Sequence, residues 1–313
     1  MRVTCVDMIF ELAKRDPRVV YIGSDLSPDI TARMKSELPG RSFMEGVSEA
    51  HVVGMAAGLA MEGFIPFVHT IATFVTRRCY EQVALDLCLH DLPVRLIGNG
   101  GGLVYAPLGP THLAIEDIAI MRALPNMAVV AVSDAVEMRK FMNATLDWPH
   151  PIYVRLGKGG DKVIASAASD FQLGKAVVYR RSAASRNTVL LVSTGVMTAK
   201  ILEVAQRLDG DGIGTSVVHV HTIKPFDERT VAELAQNTDL VVTVEEHVLI
   251  GGLGDATADA LSRCLGRGMP PVLRLGIPDV FAAHYGSQDD LLHTYGLQPA
   301  SIAASVRAAL ETS

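Results

Sequence analysis

Two stretches, around residues 49 and 112, carry residue types from which an acid–base site could be built. Glu49 stands in Phe43-Met44-Glu45-Gly46-Val47-Ser48-Glu49-Ala50-His51, where turn residues give way to a segment rich in glycine, alanine and valine. A carboxyl there can exchange a proton with a bound base. Taken alone it equally suits the first turn of a helix, where the macrodipole favours negative charge. Gly54, Ala56, Ala57, Gly58 and Ala60 follow and would let another element pack unusually close. The second stretch, Gly109-Pro110-Thr111-His112, runs into Glu116-Asp117 and offers a loop histidine able to bond hydroxyl groups. Arg155 ends the apolar run Pro151-Ile152-Tyr153-Val154-Arg155-Leu156-Gly157. Its guanidinium is a rigid donor fork suited to an oxyanion, with a surface ion pair as the plain structural alternative. No partner of opposite charge lies near it in sequence.

Two glycine-rich motifs carry less. Gly100-Gly101-Gly102 has no lysine at phosphate-loop spacing and no Gly-x-Gly-x-x-Gly. It reads as a loop at the carboxyl end of a strand over 94–98, where open α/β sheets place ligands. Gly210-Asp211-Gly212 with the distant Asn237 imitates a metal-diphosphate signature, but a helical pattern precedes it and a strand pattern follows. It reads as a helix stop and turn. Cys5, Cys79, Cys88 and Cys264 show no metal-ligand spacing and read as reduced thiols of a cytoplasmic protein. No metal site is expected from this chain's own residues.

The elements that must position these residues alternate. Short apolar, β-branched runs fall at 19–23, 66–68, 94–98, 127–131 and 152–156. Helical patterns over 6–14, 51–61, 78–89, 114–123 and 135–145 lie between them. That rhythm predicts an α/β fold with a mostly parallel sheet covered on both faces. A Gly-, Ser- and Ala-rich stretch then suggests a linker over 161–171 between domains over 1–160 and 172–313. Runs at 176–179 and 188–192 around a polar tip predict a hairpin. The α/β rhythm then resumes, giving a second open, mostly parallel sheet.

The chain has 313 residues, 49% hydrophobic and 20% charged, with a net charge of −6 and no basic run. This composition argues for two globular domains and against a nucleic-acid binder. No apolar stretch is long enough for a membrane span, and Asp7 interrupts the place of a signal-peptide core.

The Gly-Val-Ser-Glu helix start, the small-residue segment, the Gly-Pro-Thr-His loop and the downstream Lys224-Pro225-Phe226-Asp227, Glu245-Glu246-His247 and Gly251-Gly252-Leu253-Gly254 together resemble the transketolase family. The likeness spans the pyrimidine-binding and C-terminal domains in order. It implies that Glu49 hydrogen-bonds the aminopyrimidine of thiamine diphosphate and activates it by proton sharing. It further implies that Phe74 stacks on that ring, with Ile71 and Asp25 nearby. His112 would contact the hydroxyls of a ketose donor, and Arg155, with Arg2, would bind the donor's anionic end. Ile71 stands where many relatives carry a second aromatic. Leu108 and Gly100 stand where transketolases usually carry a sugar-contacting aspartate and histidine, so sugar specificity does not carry over. The glycine–aspartate–asparagine ligands of Mg²⁺ and the diphosphate belong to a preceding domain. The resemblance therefore implies one subunit of a split transketolase, joined to an N-terminal diphosphate-binding subunit that ligates Mg²⁺, with self-association through the C-terminal domain. The expected reaction moves a two-carbon ketol unit from a ketose to an aldose. The alternatives are the β-subunit of a 2-oxo acid dehydrogenase and an enzyme similar to deoxyxylulose-phosphate synthase.

Overall fold

The computed structural model describes residues 1–24, 28–166, 171–184 and 187–312, so Asp25 lies outside the described residues. Among the described residues the strands are β1 (Val19–Gly23), β2 (Ser42–Met44), β3 (Ile65–Ile71), β4 (Arg95–Asn99), β5 (Ala128–Ala131), β6 (Ile152–Leu156), β7 (Val177–Arg180), β8 (Thr188–Ser193), β9 (Gly214–His219), β10 (Thr222–Lys224), β11 (Leu240–Val248) and β12 (Val272–Ile277). They form a seven-stranded sheet in the order β10-β5-β6-β4-β3-β1-β2 and a five-stranded sheet in the order β12-β11-β8-β9-β7. The ladders are parallel except at β10, which runs antiparallel on β5, and β7, antiparallel on β9. The α/β class with two mostly parallel sheets is therefore as expected.

Both faces of the first sheet are covered, which is why its central strands are buried and mostly apolar. Along β1 and β3, Tyr21 and Phe67 join a core with Ile9, Leu12 and Phe141, while Ile22 and Val68 join one with Val53, Ala56 and Ala57. The period-two alternation feeds two cores at once. The first is closed by the helices Arg2–Arg15 and Ala135–Ala144, the second by the helix Glu49–Met61. In the second sheet, Val189 and Leu191 face Ile201 and Val204 of the helix Met197–Gly210. Leu190 and Val192 face Val231 and Leu253 on the other side.

Two sequence expectations change. The hairpin over 176–192 does not form: β9 lies between β7 and β8, pairing parallel with β8 and antiparallel with β7. The helix Met197–Gly210 returns the chain so that β9 takes the place beside β8, and β7 pairs with the other edge of β9. Second, β10, from beyond residue 172, completes the first sheet by pairing with β5. Lys224 reinforces that crossing by donating from Nζ to the Arg122 carbonyl at 3.0 Å and to the Leu124 carbonyl. Arg122 in turn donates to the Gly251 and Gly252 carbonyls. The turn at 210–212 has the surroundings anticipated for it. The helix Met197–Gly210 ends there, Gly212 has φ +76°, and Asp211 pairs with Arg307 at 2.6 Å.

A buried polar seam joins the two sheets. His219, at the end of β9, approaches Glu137 Oε2 at 3.0 Å through Nε2 and Thr198 Oγ1 at 2.8 Å through Nδ1. The Ser133 N–H also donates to Glu137. His221 stacks on Phe171 with ring centroids 4.2 Å apart. Within the first sheet, His69 is fully buried and its Nδ1 lies 3.2 Å from the Tyr21 hydroxyl. Burial, helped by the Arg2 charge, lowers His69 to about 4; burial does the same to His221, against the opposing Glu137 charge.

These two imidazoles fold neutral. The unfolded chain binds protons on them near 6.5 and the folded chain only near 4. Their stabilisation is therefore full above about pH 6.5 and is lost as pH falls toward 4. Thermal unfolding followed by circular dichroism should show the melting temperature dropping across that window. His69→Gln should flatten the drop by an amount on the order of 1–3 kcal/mol. An unchanged pH profile in the variant would exclude this role for His69.

Candidate active site

Glu49 is the first residue of the helix Glu49–Met61, with Ser48 as N-cap. The Ser48 hydroxyl donates to the Glu45 carbonyl at 2.8 Å, tightening the turn that delivers the helix, and Gly46 adopts φ +68° within it. The Glu49 side chain is 4% exposed and pairs with Arg78 Nη1 at 2.8 Å. The Arg78 guanidinium lies over the Phe74 ring, 4.0 Å from its centroid. Phe74 in turn meets the His112 ring edge-on, with centroids 5.2 Å apart. Glu49, Phe74 and His112 are thus linked through Arg78 into one cluster.

The short helix Ala72–Thr76 makes that link. It follows β3 directly, so Phe74 emerges at the carboxyl edge of the sheet. Arg77 turns the other way: it donates to Thr73 Oγ1, pairs with Glu116 at 2.9 Å and reaches the Leu113 carbonyl at 3.3 Å. One turn of chain therefore binds both the Glu49 helix and the His112 loop. Arg77 and Arg78 were not singled out from sequence, because an Arg-Arg pair reads as a solvated surface. Their spacing from Phe74, at i+3 and i+4 on a helical turn, is the signal that could have found them.

The loop bearing Thr111 and His112 is closed on itself and clamped from below. The Gly102 N–H donates to the Ala114 carbonyl at 2.8 Å and the Ala114 N–H returns to Gly102 at 3.2 Å. Glu246 of β11 accepts from the Leu103 N–H at 2.8 Å and from Gln288 Nε2 at 2.8 Å. The Val248 N–H bonds the Ile115 carbonyl at 2.8 Å. His112 is half-buried, with Nδ1 2.9 Å from Thr111 Oγ1.

Arg155 departs from its expected setting. Far from lacking an opposite charge, it forms an ion pair with Asp117 at 3.2 Å, both groups being buried. Nη2 donates at 2.8 Å to both the Ala114 and the Glu246 carbonyls. Asp117 also accepts from the Tyr153 hydroxyl at 2.6 Å. Burial opposes the Arg155 charge, but Asp117 and Glu246 outweigh it and raise its pKa. Glu246 itself is pushed upward by burial, against the pull of Arg155. The sequence hid this because Asp117 is remote along the chain and reads as a helix-start acid.

Arg2 opens the helix Arg2–Arg15, and its Nε is buried without a partner among the described residues. Its charge acts on His69 and on Tyr105. Ile71 ends β3 beside Asn99 of β4 and is half-buried. His247 is buried, donates to the Val248 carbonyl and accepts from the Ala119 N–H at 3.2 Å, a bond between the two halves of the chain. Glu245 accepts from the Leu253 and Gly254 N–H groups at the start of the helix Leu253–Leu265.

The residues present fit one part of a thiamine diphosphate site. A shielded carboxylate beside an aromatic ring can meet an aminopyrimidine. Among the described residues, no group of three or more His, Cys, Asp or Glu side chains could hold a metal ion.

Two family models match the chain: the transketolase pyrimidine-binding domain over residues 1–160 and the transketolase C-terminal domain over 177–302. The chain is 39% identical to a Clostridium sp. (strain MSTE9) protein named 6-deoxy-6-sulfo-D-fructose transketolase subunit. That match covers 99% of this chain and 94% of the relative. It is 36% identical to a 1-deoxy-D-xylulose-5-phosphate synthase of Caldanaerobacter subterraneus subsp. tengcongensis, covering 95% of this chain but 46% of that protein. A solved structure described as a split gene transketolase, inactive beta4 tetramer, superposes with a TM-score of 0.89 at 35% identity, covering 99% of this chain and 98% of that one.

Asp117→Asn should strand the Arg155 charge in a dry site. Breaking a buried pair by removing one partner costs about 3–5 kcal/mol. The loss should appear in urea unfolding as a lower midpoint at unchanged slope. Arg155→Met in the same chain should recover part of it. No recovery in the double variant would mean that the two charges do not stabilise the fold through each other.

Proposed function

Because the chain belongs to the transketolase family, we propose that it is the pyrimidine-side subunit of a two-polypeptide transketolase. The complex would move a two-carbon ketol unit from an anionic ketose to an aldose. The observation that carries this reading is the cluster of Glu49, Arg78, Phe74 and His112 at the carboxyl edge of the first sheet.

When bound, thiamine diphosphate supplies the carbanion-stabilising chemistry that protein side chains lack. Glu49 holds and returns a proton at N1′ of its aminopyrimidine, and Phe74 offers a stacking face to that ring. Arg78 aligns the Glu49 carboxylate by a charge-assisted bond. His112 orients hydroxyls of the donor, and Arg2 draws its anionic end. Arg155 acts on the donor through the loop it holds. Mg²⁺ and the diphosphate fall to an N-terminal partner subunit.

The face of the helix Glu49–Met61 around Gly54 and Gly58 supports a seat for that partner. A Cβ at Gly58 would meet nothing within 4 Å, and one at Gly54 only Asp86 Oδ2 at 3.8 Å. The Gly54 and Gly58 positions thus face little of this chain, while Ala56, Ala57 and Ala60 pack into its core. Nearby, Arg77, Glu116, Ile250 and the 79%-exposed Phe281 line an open cleft of about 510 Å³, which supports self-association involving the C-terminal domain. Buried Cys5, Cys79 and Cys88, free of disulfides, suit a reducing, cytoplasmic setting. No helix among the described residues is long and apolar enough to cross a membrane.

Glu49→Gln should preserve assembly with the partner but slow exchange of the cofactor C2 proton by a factor of about 100 or more. That exchange is read by NMR in the reconstituted complex. Exchange at the unaltered rate would remove the role given to Glu49. In calorimetry, this chain alone should bind thiamine diphosphate and Mg²⁺ weakly and the complex tightly. Tight binding by the chain alone would overturn the assignment of diphosphate and Mg²⁺ to a partner. Turnover with pyruvate but not with ketose phosphates would favour a synthase-type reaction.

A further inference from the structure

The loop from Gly100 to His112 is built around one polar side chain that no role yet explains, Tyr105. Asn99, the last residue of β4, donates from Nδ2 to the Tyr105 hydroxyl at 2.7 Å. The phenol oxygen is thereby held as an acceptor, and its own proton is free to be donated. Asn99 is 1% exposed, yet its Oδ1 has no hydrogen-bond partner among the described residues. A buried acceptor left unmet is costly, and such groups persist where something outside the chain meets them. The pair therefore offers one donor and one acceptor side by side. That is the complement of an alcohol, which donates once and accepts.

The backbone has been shaped to admit this ring. Gly100 adopts φ +73°, and a Cβ on it would overlap the Tyr105 ring. The ring therefore fills the space that a side chain at position 100 would need. Leu108, further along the same loop, offers no polar group and is exposed. Hydrogen bonding from this loop to a sugar must then come from Tyr105 and Thr111-His112.

The position fits as well. Asn99 pairs in register with Ile71, the residue directly before the helix Ala72–Thr76 that carries Phe74. The Arg2 charge also acts on Tyr105. Tyr105 is half-buried, with its ring packed against the core of the second sheet. Through Asn99 its hydroxyl is tied to the end of β4, beside the strand that leads into the Phe74 turn. A ketose donor carries hydroxyl groups along its chain.

From this geometry we infer that Tyr105, held by Asn99, is a specificity-determining residue that binds a chain hydroxyl of the ketose donor. Asn99 is its positioning residue. The inference rests on the transketolase reading above and deepens it.

The test uses the reconstituted complex with its partner subunit, thiamine diphosphate and Mg²⁺. D-Fructose 6-phosphate is compared with its 4-deoxy and 5-deoxy analogues. Tyr105→Phe removes one hydroxyl and keeps the ring, so the fold should be retained, as a melting curve would check. It should lower kcat/KM for the full donor about tenfold or more. It should have little effect with the deoxy analogue that lacks the contacted hydroxyl, because that bond is already gone. Asn99→Ala should show the same pattern, weaker. Cofactor C2 proton exchange, which needs no donor, should stay at the wild-type rate in both variants. An equal loss with all three donors, or slowed exchange, would assign Tyr105 to structure and overturn the inference. So would unchanged kinetics. If the unaltered complex shows no C2 exchange and no ketol transfer, the functional reading itself fails, and this inference falls with it.

Discussion

The buried ion pair between Arg155 and Asp117 is the contact on which the rest of the architecture depends. Two charges withdrawn from water hold together only when nearly every donor and acceptor around them is met. Here the surroundings come from four separate pieces of chain: the end of β6, the first turn of the helix Asp117–Ala123, the Gly102–Ala114 loop and β11. Asp117 Oδ1 has no hydrogen-bond partner among the described residues, so the pair relies on the contacts it does make. The histidine loop is fixed by this centre together with the Glu246, Val248 and Arg77 contacts. That explains how a long irregular segment, rich in glycine, can present His112 in a defined place.

The site built on this anchor lies at an edge, and its groups are gathered by one short helix. Phe74, Arg77 and Arg78 sit within a turn of each other and face different neighbours. Arg77 binds the loop and Arg78 the carboxylate, while the ring between them touches His112. Stretches remote in sequence become one cluster because β3 delivers this turn to the middle of the carboxyl edge. The small residues of the helix Glu49–Met61 belong to the same logic. The alanines seat the helix on the sheet, while Gly54 and Gly58 leave its other side free of bulk within this chain.

Much of this was legible in the residues. Buried strands announce themselves by runs rich in β-branched residues, and the glycine turn before a small-residue segment places Glu49 at the start of a helix. What stayed hidden depends on pairings that have no local trace. β10 is three residues long, too short for any periodicity, and owes its place to β5 and to Lys224. The hairpin expectation failed because adjacency in sequence was taken for adjacency in the sheet, whereas the helix Met197–Gly210 inserts β9 between the two runs. Arg155 was assigned to the donor's anionic end by the resemblance, and its ion pair with Asp117 was hidden because only the fold brings the two together. Asp25 lies outside the described residues, so its place follows from the resemblance alone.

Arg155 and Tyr105 also show why residue type alone does not assign a subsite. Arginine is the better oxyanion ligand by chemistry, but here its Nη2 donates to two carbonyls of the chain and its charge is paired with Asp117, contacts that pin the loop. Tyrosine in a loop carries no such presumption. Yet its phenol is oriented by Asn99, its ring fits only because position 100 is glycine, and the Oδ1 of that asparagine has no partner among the described residues. A sugar is distinguished mainly by the placement of neutral hydroxyls, and a neutral donor–acceptor pair reads that placement without the long reach of a formal charge. A neutral pair acts only at hydrogen-bond range, which is why the role proposed for Tyr105 and Asn99 is one of selection among sugars and not of attraction.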